Sequence, residues 1–188
     1  MAVSTTNSKI SPCLWFDDQA EEAANFYVNL FNTSPQAEAY PASSVGFKTH
    51  YMEEAIQHCQ NFKPGKALNV LFNLSGQEMM ALNGGPMFKF TSAISLMVEC
   101  KDQAEINHFW DGFTEGLAER ELNCGWCLDR YGLSWQIVPR YIRELVESEP
   151  NRTKYNRLHV WMMQKMPKKF VLEELVRAAE GEDMTANT

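Results

Sequence analysis

The stretch CGWCLDRYGLSWQIVP, residues 124–139, predicts a β-hairpin. Its link, DRYG at 129–132, has turn chemistry, because Asp can hydrogen-bond its own backbone and Gly can adopt a positive φ. Two tryptophans on one short hairpin indicate the wall of a core or of a pocket. Apolar side chains alternate along both arms, as strands require: Trp126, Leu128, Leu133, Trp135 and Ile137.

The composition argues against several classes of function. The chain has 188 residues, 45% of them hydrophobic, which suffices for one domain or for two small modules that share a core. A net charge of −7 argues against nucleic acid or an anionic membrane as the main partner. Apolar runs fall short of the roughly 18–20 residues of a membrane span, and residues 1–9 lack the apolar region of a signal peptide. We therefore expect a cytoplasmic protein whose five cysteines are reduced.

The sequence repeats itself once. The letters DQAE at 18–21 return at 102–105, 84 positions later, and residues 10–21 agree with residues 94–105 at six of twelve positions. In both copies the shared letters follow a strand-like stretch and precede an amphipathic helix and further strands. Neither half is large enough to bury a core well by itself. We interpret the halves as two strand–helix–strands modules that share a core.

Periodicity predicts the elements within this organisation. First strands are expected at 10–16 and 91–100, and the capping-box pattern DQAE predicts the start of the helix after each of them. The second of these helices is expected to extend its apolar stripe to Leu117, and residues 53–62 fit either a short helix or an irregular insertion. The expected organisation is a flexible tail at 1–9, modules at about 10–86 and 90–139, a helical extension at 140–180 and a disordered tail at 181–188.

Several stretches together resemble one known family. They are PCLWF at 12–16, QAEEA at 19–23, FY at 26–27, LNGGP at 82–86, FKF at 88–90 and the hairpin at 124–139. With these residues the chain is similar to the PhnB-like branch, also labelled 3-demethylubiquinone methyltransferase-like, of the vicinal oxygen chelate superfamily. That superfamily includes glyoxalase I and bleomycin-resistance proteins. The resemblance implies an α+β fold of two βαβββ modules that form a curved sheet around a cavity, with C-terminal helices, commonly as a homodimer.

The resemblance also locates a metal site. In metal-using relatives a His lies early in the first strand of a module, and a Glu lies four residues after the hairpin Gly. The matching positions here are Pro12 and Leu96 for the first strands, Gln136 after the hairpin, and a residue near Met80 in the first half. Proline and leucine cannot ligate, and a neutral amide is a weak ligand beside a carboxylate or imidazole. We therefore expect no metal at this site.

Two other motifs have structural interpretations. The CGWC motif at 124–127 leads into a strand, where residues three apart point to opposite faces, whereas a redox C-x-x-C begins a helix. The NGGP motif at 83–86 leads to a strand, so we interpret it as a turn, and the Gly-rich cofactor loop of a Rossmann methyltransferase is not found. The histidines are scattered and form no H-x-x-x-H pair: His50, His58, His108 and His159.

The expected function is therefore the binding of a small apolar or aromatic molecule in a cavity, without a metal or another cofactor. Three alternatives stay open: a metal-dependent lyase or dioxygenase, a methyltransferase, which we disfavour, and a non-catalytic sequestration module. No residue is assigned a catalytic role. The expected ligand-binding residues are Trp126 and Trp135, which would stack on the molecule, Gln136 and Asn83, which would orient it, and Trp15 and Phe90, which would be part of the wall.

Overall fold

The computed structural model describes residues 9–56, 64–148 and 152–182. Most of the predicted tails at 1–9 and 181–188, and most of the segment at 53–62 for which the sequence left two interpretations, lie outside these residues. The chain divides into two compact units, Met1–Phe90 and Thr91–Thr188. The strands are β1 (Cys13–Phe16), β2 (Ser44–His50), β3 (Ala67–Leu74), β4 (Gln77–Asn83), β5 (Leu96–Cys100), β6 (Trp126–Leu128) and β7 (Ser134–Pro139). The helices are α1 (Ala20–Asn32), α2 (Glu53–Ile56), α3 (Gln103–Thr114), α4 (Arg140–Ser148), α5 (Thr153–Lys165) and α6 (Leu172–Glu180).

The first unit is a four-stranded sheet covered on one face by α1. The strand order is β1-β4-β3-β2, with β1 parallel to β4 and the other neighbours antiparallel. The strand proline, Pro12, directly precedes β1, which is an edge strand of the sheet, as expected for a residue without a backbone donor. Alternate residues of the strands point toward α1, and the apolar residues of α1 recur at helical spacing on the face that meets the sheet. The two patterns therefore build one core. The buried residues of α1 are Ala20, Ala23, Ala24, Tyr27 and Leu30.

The second unit repeats this topology in reduced form. Its sheet has the order β5-β7-β6, with β5 parallel to β7 and β6 antiparallel to it. An isolated bridge between Glu121 and Cys127 stands where the first unit has its outer strand β2. The chain thus has an α+β fold of two βαβββ-like modules with mixed sheets, as predicted. The α3 stripe buries Ile106, Phe109, Trp110 and Phe113 against the sheet.

The C-terminal helices build a further cluster within the second unit. Its buried residues are Leu145, Leu158, Met162, Phe170, Leu175, Ala178 and Ala179. The segment between α5 and α6, residues 166–171, is named the strap here, because it lies along the start of the hairpin and of α3. Cys124 and Gly125 donate their backbone N–H groups to the carbonyls of Pro167 and Lys168, at 2.6 and 2.8 Å. The predicted C-terminal helices are confirmed.

Three predicted boundaries are wrong. The first strand begins at Cys13, and Ile10 is 82% exposed, since it lies before the residues that pair with β4. The strand β5 begins at Leu96 instead of at residue 91. The second helix ends at Thr114, because Glu115 and Gly116 both adopt positive φ, and Leu117 is therefore outside the helix and 40% exposed.

The capping prediction holds in one repeat only. In the second unit the Asp102 side chain accepts a hydrogen bond from the backbone N–H of Glu105 at 3.0 Å, which is an N-cap. In the first unit the N-cap residue is Gln19, and within the described chain its side chain makes no cap. A residue from a distant strand caps that helix instead, as shown below.

Candidate functional site

One face of the sheet in the second unit points away from α3, and Gln136 lies on this face. Residues Met97, Gln136 and Trp126 are register partners on β5, β7 and β6, so they form a row across the sheet. We call this row the Gln136 face. Met97 is 63% exposed, and Gln136 and Trp126 are half-buried. An aromatic ring, an amide and a thioether therefore lie side by side, with part of their surface open.

The Gln136 amide has one side fixed and one side available. Its Nε2 donates to the Ser95 hydroxyl at 2.6 Å, which orients the amide plane. Among residues 9–56, 64–148 and 152–182, no donor reaches Gln136 Oε1. The carbonyl oxygen is thus an oriented acceptor beside the Trp126 ring. This is the geometry of a site that accepts a hydrogen bond from a bound molecule.

The structure separates the two tryptophans that the sequence places together. Trp135 lies on the opposite face of β7, 1% exposed, and its ring stacks on Phe113 of α3 with centroids 4.2 Å apart. Its indole N–H donates to Asp129 Oδ2 at 2.9 Å. The expected role of Trp135 as a stacking residue for a ligand does not fit this placement. Trp135 and Gln136 are adjacent on one strand, so they must point to opposite faces. Trp135 is a core residue, and its neighbour faces outward.

The hairpin turn has the chemistry that the sequence predicts. Asp129 Oδ1 accepts from the backbone N–H groups of Tyr131 and Leu133 at 2.8 and 3.0 Å, and Gly132 adopts a φ of 83°. The carboxylate is 2% exposed. Since one oxygen holds the turn and the other holds Trp135, Asp129 ties the hairpin tip to the core.

Asn83 is placed as a structural residue. It is 4% exposed, its Oδ1 accepts from the backbone N–H of Ala20 at 2.8 Å, and its Nδ2 donates to the carbonyl of Ala67 at 2.9 Å. The Tyr51 hydroxyl donates to its backbone carbonyl. The amide therefore caps α1 and joins it to β3. Both ends of the side chain are engaged in the fold, so the predicted role of orienting a ligand does not fit this placement.

Trp15 and Phe90 are half-buried in the first unit. The Trp15 indole donates to the Gly85 carbonyl at 2.9 Å, and its ring meets Phe88 edge-on with centroids 4.9 Å apart. A Cβ added at Gly84 would lie 2.2 Å from the Trp15 ring, so only glycine permits this packing. Phe90 packs edge-on against Phe16, with centroids 5.2 Å apart. Both rings serve the packing of the first unit, whatever else they contact.

The residues at the family metal position do not fit a metal ion. Cys13 on the first strand of the first unit pairs with Met80. Met97, which lies 84 positions after Cys13 and so is its counterpart in the repeat, pairs with Gln136. Met80 is therefore the counterpart of Gln136. The donors at these positions are a thioether and an amide already bonded to Ser95, and neither is a good ligand for Zn²⁺ or Mn²⁺. Across the described residues, no group of three His, Cys, Asp or Glu is placed to hold a metal.

The cysteines of the CGWC motif lie in different environments. Cys127 is fully buried on the α3 side of the sheet, and burial raises the pKa of its thiol to about 12. Cys124 is half-buried, and its Sγ lies 3.8 Å from Met166 Sδ in the strap. A thiol with so high a pKa is a poor nucleophile at neutral pH. The arrangement therefore fits the structural interpretation of this motif.

Sequence reasoning missed a cleft in the first unit. It has a volume of about 400 Å³ and lies at the start of α1. The signal that could have found it is the repeat, because Gln19 in this cleft corresponds to Gln103, which the strap covers in the second unit. The lining residues are Asp18, Gln19, Glu21, Glu22, Asn25, Lys66, Ala67 and Asn83.

Comparisons with known proteins give one family model and several solved structures. The family model described as 3-demethylubiquinone-9 3-methyltransferase matches residues 8–138. A PhnB protein from Bacillus cereus that carries the same label is 30% identical, and the match covers 70% of this chain and 99% of that one with a TM-score of 0.54. A protein from Pseudomonas aeruginosa is 14% identical over 70% of this chain and 97% of its own, with a TM-score of 0.48. A lactoylglutathione lyase from Agrobacterium tumefaciens is 13% identical over 72% and 96%, with a TM-score of 0.35. The comparison with curated proteins finds no match.

Within the described residues, every helix is too short or too polar to traverse a bilayer.

Proposed function

We propose, from the premise that this chain belongs to the PhnB-like family described as 3-demethylubiquinone-9 3-methyltransferase, that it binds a small aromatic molecule on the Gln136 face. The observation that carries the proposal is the oriented acceptor Gln136 Oε1, beside the half-buried ring of Trp126. The ligand class that fits is a flat, mainly apolar molecule that carries one hydrogen-bond donor.

Each residue of the row has a separate task in this proposal. The Trp126 ring offers a stacking surface, which suits an aromatic ligand better than an aliphatic one. The Met97 thioether adapts to the ligand edge, because its unbranched chain has several low-energy rotamers. Gln136 Oε1 accepts the ligand's hydroxyl or N–H and so fixes its orientation. Ser95 holds the amide with this oxygen outward.

The methyltransferase label of the family implies a Gly-rich cofactor loop, and the described residues of this chain do not offer one. The candidate glycines, Gly84 and Gly85, follow β4, but Gly84 is packed under Trp15, which donates to the Gly85 carbonyl. Their backbone N–H groups donate to the carbonyls of Phe16 and Asp17 at 2.9 and 3.1 Å. A Gly-rich cofactor loop instead leaves its backbone N–H groups open at the start of a helix. The geometry therefore supports ligand binding better than transfer of a methyl group from S-adenosylmethionine.

The experiment compares two ligands that differ by one donor. Thermal unfolding is measured with 1-naphthol and with naphthalene, for the wild type and for Gln136→Leu. We expect 1-naphthol to raise the Tm more than naphthalene in the wild type, and this preference to vanish in Gln136→Leu. A ligand present at about 100 times its Kd should add about 2.7 kcal/mol of stability.

The matched control is Gln77→Leu, which replaces an exposed glutamine of the first unit. It should keep the preference for 1-naphthol. Equal shifts by both ligands in the wild type, or an unchanged preference in Gln136→Leu, would contradict the proposal.

We further propose that the chain forms a homodimer. In its support, Met87 and Ile94 are 77% and 74% exposed, and they lie in the segment between β4 and β5. Apolar side chains exposed to this degree are common where a second chain packs. Light scattering at micromolar concentration tests the proposal, and a monomeric mass would refute it.

A further inference from the structure

We infer that the cleft at the start of α1 binds an extended, lysine-containing segment of another protein. This site is distinct from the Gln136 face and does not depend on the proposed function. In the internal repeat, the second unit holds such a segment at the place that corresponds to this cleft. There the segment is the chain's own strap, residues 166–171.

Besides the two hairpin bonds from Cys124 and Gly125, one glutamine of α3 holds the backbone at the end of the strap. Gln103 Nε2 donates to the carbonyl of Phe170 at 3.2 Å, and Gln103 Oε1 accepts from the N–H of Leu172 at 2.7 Å. The two bonded groups flank Val171, whose φ of −108° and ψ of 112° are extended, so a single amide pairs with the backbone there as a neighbouring strand would, while Lys168 and Lys169 lie in a bend before it. The strap side chain between the helix and the hairpin is Phe170, which is 3% exposed.

The hairpin is shaped to receive the strap. Gly125 adopts a φ of 78°, and a Cβ there would lie 2.6 Å from the Phe170 ring. The strap therefore lies between the start of α3 and the start of β6. The chain thus fills this position with a segment of its own.

The same position in the first unit is an open cleft. Gln19 corresponds to Gln103 at the repeat offset of 84, and it is exposed, whereas Gln103 is half-buried under the strap. The cleft runs between the start of α1 and the start of β3, with Ala67 and Asn83 among its lining residues. In the described part of the chain, the one hydrogen bond of the Gln19 side chain is local, where Oε1 accepts from the backbone N–H of Asp18 at 3.2 Å.

Charge selects the segment that would fit. The strap carries Lys168 and Lys169, whose amines lie 3.4 and 3.0 Å from Glu121 and Asp111. The open cleft is lined by three carboxylates and one amine, so it is also acidic. Those groups are Asp18, Glu21, Glu22 and Lys66, and Glu21 also pairs with Lys48. An extended segment with lysines meets both requirements of the cleft, the backbone groups for Gln19 and the positive charge for its rim.

The test uses the chain's own strap as a peptide. A labelled peptide of residues 164–172, QKMPKKFVL, is titrated with the full-length protein, and fluorescence anisotropy reports binding. We expect saturable binding that weakens about tenfold in Gln19→Ala, as two lost hydrogen bonds imply. The control Gln77→Ala, away from the cleft, should bind like the wild type. A peptide with both lysines replaced by glutamate should not bind.

Other outcomes would overturn the inference. One is the absence of binding to folded wild-type protein at millimolar peptide, with folding checked by circular dichroism. A second is equal affinity of wild type and Gln19→Ala. A third is saturable binding of spermidine without binding of the peptide, which would assign the cleft to small cations instead of an extended chain.

Discussion

The side-chain oxygen Oδ1 of Asn83 accepts the backbone N–H of Ala20 at 2.8 Å, so a residue at the end of a strand caps a helix 63 positions earlier. The register explains why only one repeat uses this device. Phe16 pairs with Asn83, and the corresponding Cys100 pairs with Pro139, whose side chain has no polar atom. The second helix therefore needs a cap from its own sequence.

Asn83→Ala should destabilise the first unit by about 1–3 kcal/mol. The change leaves the N–H of Ala20 and the carbonyl of Ala67 buried without their partner, and an unsatisfied buried group costs this amount. Urea unfolding measures the loss. The exposed Asn29 on the same helix is the control, and Asn29→Ala should stay within about 0.5 kcal/mol of the wild type.

The two aspartates of the repeated DQAE motif should differ in their effect on stability. Asp102→Ala removes an observed N-cap and should cost about 0.5–2 kcal/mol. Asp18→Ala removes an exposed side chain at a helix that Asn83 caps, and should change stability by no more than about 0.5 kcal/mol. Equal losses in denaturant unfolding would contradict this difference between the repeats.

The two tryptophans of the hairpin should separate stability from binding. Trp135→Ala removes a core ring stacked on Phe113 and should cost about 3–5 kcal/mol. Trp126→Ala removes a half-buried ring from the Gln136 face and should cost clearly less, while abolishing the shift by 1-naphthol. Thermal unfolding with and without the ligand gives both quantities. A Trp126→Ala protein that still responds like the wild type would argue against the face.

Stability should fall at alkaline pH through Cys127. Burial, with repulsion from Asp129 and Glu121, raises the pKa of this thiol from 9.0 to about 12. The contribution of this thiol to the free energy of unfolding is fully present below pH 9.0, where the thiol is protonated in the folded and unfolded states. It is lost as pH rises toward 12, because the thiol ionises first in the unfolded chain. Above pH 9 the unfolding free energy of the wild type should therefore fall more steeply than that of Cys127→Ala, by up to about 1.4 kcal/mol per pH unit. Parallel curves would show that this thiol does not titrate differently on unfolding.

Added Mn²⁺, Ni²⁺ or Zn²⁺ should leave the Tm unchanged. The family metal positions hold Pro12, Leu96, Met80 and Gln136, and these do not make a divalent site. Differential scanning fluorimetry checks the prediction against a chelator-treated sample. A saturable rise in Tm with one of these ions would restore the metal-dependent lyase or dioxygenase alternative.

Local signals predicted much of the fold because they act within a few residues. The turn at Asp129, the alternation of the strands and the apolar stripe of α3 are all visible as short patterns, and the structure shows each of them. The candidate site was predicted less well. Alternation identifies both Trp126 and Trp135 as strand residues of the hairpin, but which of them faces the helix depends on how the sheet packs against α3.

The sequence by itself determined the repeat, the hairpin with its turn, the helical extension and the family, because these depend on local chemistry and on letters that recur. Tertiary structure alone decided that Asn83 caps α1, that Trp135 faces the core while Gln136 faces outward, and that the strap covers Gln103 while Gln19 stays open. The physical reason is that each of these outcomes depends on which distant backbone group comes within hydrogen-bond distance. That is set by strand register and helix packing over the whole unit, and no short stretch of sequence contains it.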